Sequence, residues 1–270
     1  MVDFNVNGKT AVVTGGTRGL GLHTAEAYVL NGASNVVITS RKQQACKEAQ
    51  EYLENVAQQA GKTVKIIAIA ADIAKEEDCT RFYNETMKAV EKVDILVANA
   101  GASWGAPLKD HTVAAFRKVI DLNVVAVFQT IKLFTPELEK AGTPEDPLRI
   151  LIMSSVASLV ASDPVGVYGY LASKSGVSHM GKNLALQLGP RNITVNSLAP
   201  GFFPTKMSNG LLSVAGDMMA EQNPRGRLGE KEDLMNVVIF LSSKQANYIN
   251  GIVLPIDGGS YNGGAFMPKL

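Results

Sequence analysis

The stretch Thr10-Ala-Val-Val-Thr14, followed at once by Gly15-Gly-Thr-Arg-Gly-Leu-Gly21, decides the fold. The first five residues are β-branched or small and apolar, which is typical of a strand that is buried on both faces. The glycines allow a tight turn and the close approach of a bound group, and a helix is predicted from Gly19 onwards. A strand, a glycine-rich turn and a helix in this order predict a phosphate-binding site at the amino end of the helix.

Short apolar runs alternate with longer helical patterns along the rest of the chain. The predicted strands are Thr10–Thr14, Asn35–Thr39, Val64–Ala71, Ile95–Asn99, Arg149–Ser154, Ile193–Leu198 and Ile252–Ile256. The predicted helices are Gly19–Asn31, Arg41–Ala60, Glu76–Val90, Thr112–Glu139, Tyr168–Leu188 and Lys231–Ser242. This alternation predicts an α/β fold: a Rossmann-type, doubly wound parallel sheet of about seven strands with helices on both faces, forming a single domain over residues 1–270.

Composition excludes several classes of protein. The 270 residues carry 26 basic and 25 acidic side chains, a net charge of +1, so neither nucleic acid nor an anionic membrane is expected as a partner. The three histidines are scattered and predict no metal site; each is interpreted as solvated or capped. The two cysteines indicate reduced thiols, and no uninterrupted apolar run is long enough for a transmembrane helix.

The two ends of the chain bear on localisation. The amino end has no apolar signal core, which predicts a cytoplasmic protein. The last three residues, Pro268-Lys269-Leu270, resemble the Ser-Lys-Leu peroxisomal address with one substitution, so a peroxisomal location is the alternative.

Residues 202–229 interrupt the alternation. They are rich in Met, Gly, Pro and Asn, and they lie between a predicted strand and the last long helix. A long loop of this kind is either functional or disordered, and a lid over an active site is a common use of one. Its apolar residues, among them Phe202, Phe203 and Met207, argue against a polyanionic group at the reacting end of a substrate.

The end of the second predicted strand bears on the choice of cofactor. A dinucleotide with a free ribose 2′-hydroxyl usually meets an acidic residue about 20 positions beyond the glycines. Here the chain has Ser40, Arg41 and Lys42, and the next acid is Glu48. Together with Arg18 in the glycine loop, these residues offer cations to a 2′-phosphate, so NADP(H) is predicted.

A second chemical signal lies at the start of the helix predicted from Tyr168. Tyr170 and Lys174 are four residues apart and therefore share one face of that helix. A nearby ammonium favours the phenolate, so Lys174 is predicted to lower the pKa of Tyr170 and to prepare it for general acid–base chemistry. Tyr168 has Ala172 at the corresponding position and is not the candidate.

These motifs resemble the short-chain dehydrogenase/reductase family, and the resemblance covers the whole chain. The glycine loop, Asn99-Ala100-Gly101, and the run from Pro200-Gly201 to Thr205 match its cofactor segments. The resemblance implies cofactor contacts from Gly15, Thr17, Arg18, Gly19, Leu20, Gly21, Ser40, Arg41, Lys42, Asp72, Ile73, Asn99, Ala100, Gly101, Tyr170, Lys174, Pro200, Gly201, Phe203 and Thr205. Family members are usually homotetramers or homodimers, and the same is expected here.

The resemblance also implies four catalytic residues. Tyr170 would protonate the forming alkoxide, and Lys174 would tune Tyr170 and hold the nicotinamide ribose. Ser155, preferred over Ser154 because Val-Ala follows it, would bind the carbonyl oxygen. Asn123 would hold a water that relays protons.

The run from Pro200 to Met207 is similar to reductases of 3-oxoacyl thioesters of the rhamnolipid type. The predicted function is therefore the NADPH-dependent reduction of a small-molecule ketone to a secondary alcohol. The alternatives are a polyol or sugar dehydrogenase and a ketone reductase of secondary metabolism. A third alternative is a sensor that binds NADP(H) without turnover, which is disfavoured because Ser155, Tyr170 and Lys174 are all present.

Overall fold

The computed structural model describes residues 4–161 and 166–262. Its strands are β1 (Thr10–Thr14), β2 (Asn35–Ser40), β3 (Lys65–Ala70), β4 (Ile95–Ala98), β5 (Leu148–Met153), β6 (Ile193–Pro200) and β7 (Val253–Ile256). Within these described ranges they form one parallel sheet in the order β3-β2-β1-β4-β5-β6-β7. The predicted fold class is confirmed, with strand ends that differ from the prediction by at most two residues.

Helices cover both faces of this sheet. They are α1 (Gly19–Leu30), α2 (Gln43–Gln59), α3 (Glu76–Ala89), α4 (Val113–Ile120), α5 (Ala126–Glu139), α6 (Tyr168–Leu188), α7 (Asn209–Gln222) and α8 (Lys231–Ser242). The single helix predicted over residues 112–139 is divided, because residues 121–125 form a π-helical turn between α4 and α5.

The core has two layers, one on each face of the sheet. Successive residues of a strand point to opposite faces, so Val13 and Ile38 join the layer beneath α1, α2 and α8, whereas Val12 and Val37 join the layer beneath α3, α5 and α6. All of these side chains are fully buried. The continuous apolar runs seen in the sequence follow from this double burial.

The order of the strands reverses beside β1. Chain order runs outward from β1 through β2 to β3 on one side, and it resumes with β4 on the other side. Loops leaving the carboxyl ends of β1 and β4 therefore diverge there and open a crevice, which is where open α/β sheets bind ligands.

One helical stretch, Val113–Glu139, is long and apolar enough by length and composition to cross a membrane, and 44% of its most apolar window is buried inside the protein. The buried side of α5 packs against α3 and the sheet. A core helix of a globular domain has this same pattern, with one apolar face inside.

The segment 202–229, which we call the lid, differs from its prediction. It was expected to be a long loop, but α7 occupies half of it. Gly210 and Gly216 within α7 weaken the helical signal in the sequence. No residue of α7 is buried, so the helix lacks the clear apolar face by which helices are recognised in a sequence.

Backbone and side-chain hydrogen bonds hold the two ends of the lid. The amide of Gly229 donates to the carbonyl of Phe202 over 2.9 Å, and Nδ2 of Asn223 donates to the carbonyl of Asp257 over 2.8 Å. The tripeptide Pro268-Lys269-Leu270, predicted as a peroxisomal address, lies outside the described residues.

Candidate active site

A cleft of about 390 Å³ lies at the carboxyl ends of β1, β2 and β4. It brings together most of the residues predicted to bind a cofactor. Those that line it are Gly15, Thr17, Arg18, Gly19, Leu20, Gly21, Ser40, Arg41, Lys42, Asp72, Ile73, Asn99, Ala100, Gly101, Tyr170, Lys174 and Thr205.

The glycine loop is tied to the end of β4 by a compact set of hydrogen bonds. Oγ1 of Thr14 accepts from the amides of Asn99 and Ala100 at 3.0 and 3.1 Å. Nδ2 of Asn99 donates to the carbonyls of Thr14 and Gly15 at 2.8 and 3.1 Å. The side chain of Asn99 thus holds the turn on the side of β4 and leaves the backbone that faces the cleft free to bind a ligand.

Two glycines of this loop cannot be replaced without movement of the backbone. Gly15 has φ +64°, in the left-handed region that favours glycine. A Cβ on Gly21 would lie 2.3 Å from the carbonyl oxygen of Gly15. The loop therefore has the close-packed, side-chain-free shape that a dinucleotide diphosphate requires at a helix amino end.

Three cations surround the other end of the cleft. Arg18, Arg41 and Lys42 line it and are exposed. None of the three has an ion pair within residues 4–161 and 166–262. Exposed, unpaired cations beside a phosphate cradle fit the additional phosphate of NADP(H).

The two candidate serines occupy different environments. Ser154 is buried, and its Oγ lies 2.6 Å from Oγ of Ser178 and 3.2 Å from the carbonyl of Lys174. Ser155 is half-buried; its Oγ accepts from the amide of Ala157 at 3.2 Å and shares a hydrogen bond with the phenol of Tyr170. Ser155, rather than Ser154, is therefore adjacent to the group that can exchange a proton.

The predicted effect of Lys174 on Tyr170 is wrong for this structure. Burial raises the pKa of the Tyr170 phenol above its ordinary value, and the hydrogen bond with Ser155 offsets only part of that rise. Nζ of Lys174 lies 5.6 Å from the centre of the Tyr170 ring and donates to the carbonyl of Met153 over 2.7 Å. The ammonium of Lys174 therefore lies near the Tyr170 ring and is hydrogen-bonded to the backbone.

Lys174 is itself strongly affected by its surroundings. Burial lowers the pKa of its ammonium to about 8, because removal from water disfavours the charged form. A lysine with this pKa changes protonation state in the mildly alkaline range and can pass a proton as well as attract one.

Asn123 lies in the π-helical turn between α4 and α5 and is buried. Its Nδ2 donates to the carbonyl of Ala102 and to Oγ of Ser173, both over 2.9 Å, and its Oδ1 accepts from the amide of Ala102 over 2.9 Å. A Cβ on Gly101 would lie 3.3 Å from Oδ1 of Asn123 and 3.5 Å from Nζ of Lys174. Glycine at position 101 thus leaves the space between these two groups free of a side chain.

Comparison with known proteins agrees with this geometry. The family model described as enoyl-(acyl carrier protein) reductase matches residues 15–261. Dehydrogenase/reductase SDR family member 4 of Rattus norvegicus is 36% identical over 93% of this chain and 87% of its own length.

The chain belongs to the short-chain dehydrogenase/reductase family.

A further sequence relative and a solved structure from the same organism are similar to this chain over nearly their whole length. The rhamnolipids biosynthesis 3-oxoacyl-[acyl-carrier-protein] reductase of Pseudomonas aeruginosa is 34% identical over 95% of this chain and 97% of its own. The solved Pseudomonas aeruginosa RhlG/NADP active-site complex superposes with a TM-score of 0.89 at 33% identity, covering 97% of this chain and 100% of that one. The oxidoreductase fold and the family suggested by the motifs are therefore confirmed.

Five residues predicted from the family pattern do not line the cleft: the catalytic candidates Ser155 and Asn123, and three residues predicted to contact the cofactor. Pro200 ends β6, and Gly201 packs against Asp257, since a Cβ on Gly201 would lie 2.7 Å from Cβ of Asp257. Phe203 is buried, and its ring lies against Gly229, where a Cβ would come within 2.5 Å of the ring. The aromatic ring of Phe203 is thus part of the apolar core, and it anchors the lid instead of forming a wall of the cleft.

Sequence reasoning missed other residues that line the cleft in this member of the family. They are Thr39, Ala45, Ala71, Ala102, Ser103, Leu122, Met153 and Lys206, whereas Ser154 and Met207, which also line it, are considered above as the alternative serine and as an apolar residue of the lid. Lys206 follows Thr205, a residue already predicted, so its position in the sequence was an available signal.

His111 is neither solvated nor capped, in contrast to its predicted state. Both of its ring nitrogens are covered and have no hydrogen-bond partner among the described residues. The ring packs edge-on against Trp104 and Tyr168, with centroid distances of 4.6 and 5.2 Å. This aromatic cluster joins the loop after β4 to the beginning of α6, next to Tyr170.

Proposed function

We propose that the protein is an NADPH-dependent ketoreductase that reduces a ketone, such as a 3-oxoacyl thioester, to a secondary alcohol. The observation that carries this proposal is the phenol of Tyr170, which is hydrogen-bonded to Ser155 and lines the same cleft as the glycine loop. A proton donor beside a dinucleotide cradle is the arrangement that carbonyl reduction requires. The name of the rhamnolipid 3-oxoacyl reductase relative supports the choice of substrate.

The cleft fits NADP(H) at both of its ends. The glycine loop accepts the diphosphate, and Arg18, Arg41 and Lys42 bind the 2′-phosphate as free cations. Asp72 and Ile73 hold the adenine, and Thr205 contacts the nicotinamide end. Reduced nicotinamide supplies a hydride when it is bound.

Ser155 and Tyr170 act on the oxygen of the substrate. The amide of Ala157 occupies one lone pair of Ser155 Oγ, so the Ser155 hydroxyl can donate to the carbonyl oxygen. That hydrogen bond strengthens as negative charge grows on the oxygen. The phenol of Tyr170, kept protonated at neutral pH by its burial, then donates its proton to the alkoxide.

Lys174 and Asn123 complete the path by which Tyr170 regains a proton. Lys174, with a pKa of about 8, exchanges protons near neutral pH. Oδ1 of Asn123 has one lone pair left after its bond to Ala102, and no side chain separates it from Lys174. We assign the proton-relaying water predicted from the family pattern to this space beside Gly101.

An apolar substrate is favoured by the exposed residues near the reacting end. Met207 lines the cleft with 54% of its surface exposed, and Trp104, 40% exposed, is next to Ser103 of the lining. Polarizable and aromatic side chains of this kind bind acyl chains and rings more readily than polyols.

The test is the oxidation of NADPH, followed by absorbance, with 3-oxoacyl thioesters, diketones and keto-sugars as substrates. Turnover of a ketone is expected from the wild-type protein, and Ser155→Ala should lower kcat about 10²-fold or more. Ser154→Ala is the matched control: it removes the buried hydroxyl of the preceding residue and should retain turnover. Tight binding of NADPH with no turnover of any ketone would contradict the proposal and favour a sensor.

We also propose a homodimer or homotetramer. Val125 and Phe128 near the start of α5, Val113 on α4 and Leu186 on α6 are apolar and about half or more exposed. Burial of these side chains between two copies would remove a large apolar area from water. Light scattering should give a mass of two or four chains, and Phe128→Asp should lower it; a wild-type monomer would overturn this proposal.

We place the enzyme in the cytoplasm, in keeping with two buried cysteines that form no disulfide. Peroxisomal import remains a prediction from the last three residues alone. Fusion of the chain's last ten residues to a fluorescent protein, with and without Leu270, tests it directly.

A further inference from the structure

The first residues of the lid lie against the glycine loop. Thr205, Lys206 and Met207 line the same cleft as the glycines. A Cβ on Gly19 would lie 3.4 Å from Cβ and Cγ2 of Thr205, which is ordinary van der Waals contact. The lid therefore begins directly above the place where a dinucleotide diphosphate would be bound.

A network around Ser208 fixes the backbone at this point. Oγ of Ser208 donates to the carbonyl of Phe203 over 2.6 Å and accepts from the amide of Thr205 over 2.9 Å. The amide of Asn209 donates to the carbonyl of Thr205 over 2.9 Å. Lys206 is consequently carried by a defined turn, although α7, which follows, has no buried residue.

The side chain of Lys206 is exposed and, within residues 4–161 and 166–262, it has neither an ion pair nor a hydrogen bond. The other cations of the lid are placed differently. Arg227 forms a two-pronged ion pair with Asp233, and Arg225 lines a separate pocket near Asp257. Lys206 is thus the lid cation that lines the dinucleotide cleft.

We propose that Lys206 is a ligand of the cofactor diphosphate, carried by the lid, so that binding of the dinucleotide holds the lid against the glycine loop. This inference rests on the proposed dinucleotide-binding function. An ammonium is a point charge with three donors on a flexible stem, well suited to bridging phosphate oxygens from a segment with few buried contacts. Without such a contact α7 has few interactions that would hold it in a closed position.

The diphosphate is common to NADPH and NADH, whereas the 2′-phosphate is present in NADPH alone. If Lys206 binds the diphosphate, Lys206→Met should weaken binding of both cofactors by the same factor, about tenfold at low salt. A double variant of Arg41 and Lys42 should weaken NADPH binding and leave NADH binding unchanged. The two sets of cations can therefore be separated by measuring both dissociation constants.

The experiment measures the dissociation constants of NADPH and NADH by fluorescence of the reduced nicotinamide, at low and at high ionic strength. Lys206→Arg should restore most of the affinity, since it restores the charge. Lys62→Met is the matched control: it removes an exposed lysine outside the cleft lining and changes the net charge equally. Its dissociation constants should equal those of the wild type.

Limited chymotrypsin digestion provides a readout that is independent of affinity. At saturating NADPH the wild-type lid should be protected from cleavage around Leu211 and Leu212, and the lid of Lys206→Met should be cut at close to the cofactor-free rate. Equal protection in both proteins would overturn the proposal, as would a loss confined to NADPH or a loss shared with Lys62→Met. Failure of the wild-type protein to bind either dinucleotide would instead refute the proposed function itself.

Discussion

The glycine loop and the lid face each other across one cleft, yet they are built in opposite ways. Thr14 is buried, and its Oγ1 and the side chain of Asn99 hold the loop with five hydrogen bonds to the neighbouring backbone. In the lid, α7 has no buried residue, and Val214 is 87% exposed. Atoms that must match an invariant cofactor are fixed by the fold, whereas atoms that meet a variable substrate are left to adjust.

We call the glycine loop, the end of β4 and the start of α6 the fixed side of the cleft, and the lid its adjustable side. The largest expected effect tests whether proton transfer to the substrate depends on a residue of the fixed side. Tyr170→Phe should lower kcat at least about 10²–10⁴-fold, because it removes the proton donor and leaves the cleft intact. The dissociation constant of NADPH should change little. Tyr168→Phe, two residues earlier on α6, is the control and should retain turnover. Activity of Tyr170→Phe near that of the wild type would contradict the assignment of Tyr170 as the proton donor.

Next in size is a test of how rigid the glycine loop is. Gly21→Ala places a methyl group 2.3 Å from the carbonyl oxygen of Gly15, so the backbone must move, at a cost of about 1–3 kcal/mol in the free energy of unfolding. NADPH binding should weaken together with stability. Gly176→Ala on α6, whose Cβ would meet nothing within 4 Å, is the control in urea denaturation. A Gly21→Ala protein with wild-type stability would show that the glycine loop accommodates a methyl group without a loss of stability.

A third test measures how the free energy of unfolding depends on the protonation of Lys174, separately from turnover. The pKa of Lys174 falls from 10.5 to about 8 on folding. Between these two values the unfolded chain binds a proton that the folded protein has lost, so stability should rise with pH across this range. The gain has an upper limit of about 3 kcal/mol.

Lys174→Met removes this titration. The difference in free energy of unfolding between wild type and variant, measured by urea denaturation from pH 8 to 10.5, should therefore change in favour of the wild type. A constant difference would mean that Lys174 has an ordinary pKa in the folded protein. Turnover by the variant should be lost at every pH.

The smallest expected effect concerns the local stability of α7 in the lid. Gly216→Ala lies within α7, where a Cβ would be 3.7 Å from Cβ of Leu212, and alanine favours a helix by about 0.5–1 kcal/mol. Because α7 is not part of the packed core, amide exchange of α7 should slow about two- to fivefold while the global stability changes little. A matching rise in global stability would show that α7 unfolds together with the core.

The sequence predicted the fixed side far better than the adjustable one, for a physical reason. Strands buried on both faces, such as β1, must be apolar throughout, and Gly15 must be glycine because of its positive φ, so both leave clear local signals. Because α7 buries nothing, it has no apolar face for a pattern to reveal. The raised pKa of Tyr170 follows from the burial of its phenol, which the spacing of Tyr170 and Lys174 along a helix does not specify.

The π-helical turn at residues 121–125 has a consequence for how the chain can vary in length. It inserts one residue into an otherwise continuous helix, since the amide of Ala126 bonds to the carbonyl of Asp121, five residues back. The wide turn absorbs this extra residue locally, whereas the insertion or deletion of one residue within the regular part of α4 or α5 would rotate α5 by about 100° against α4. Asn123 and the apolar side of α5 could then no longer both face inward, so insertions and deletions in this lineage should fall in the surface loops and spare both helices.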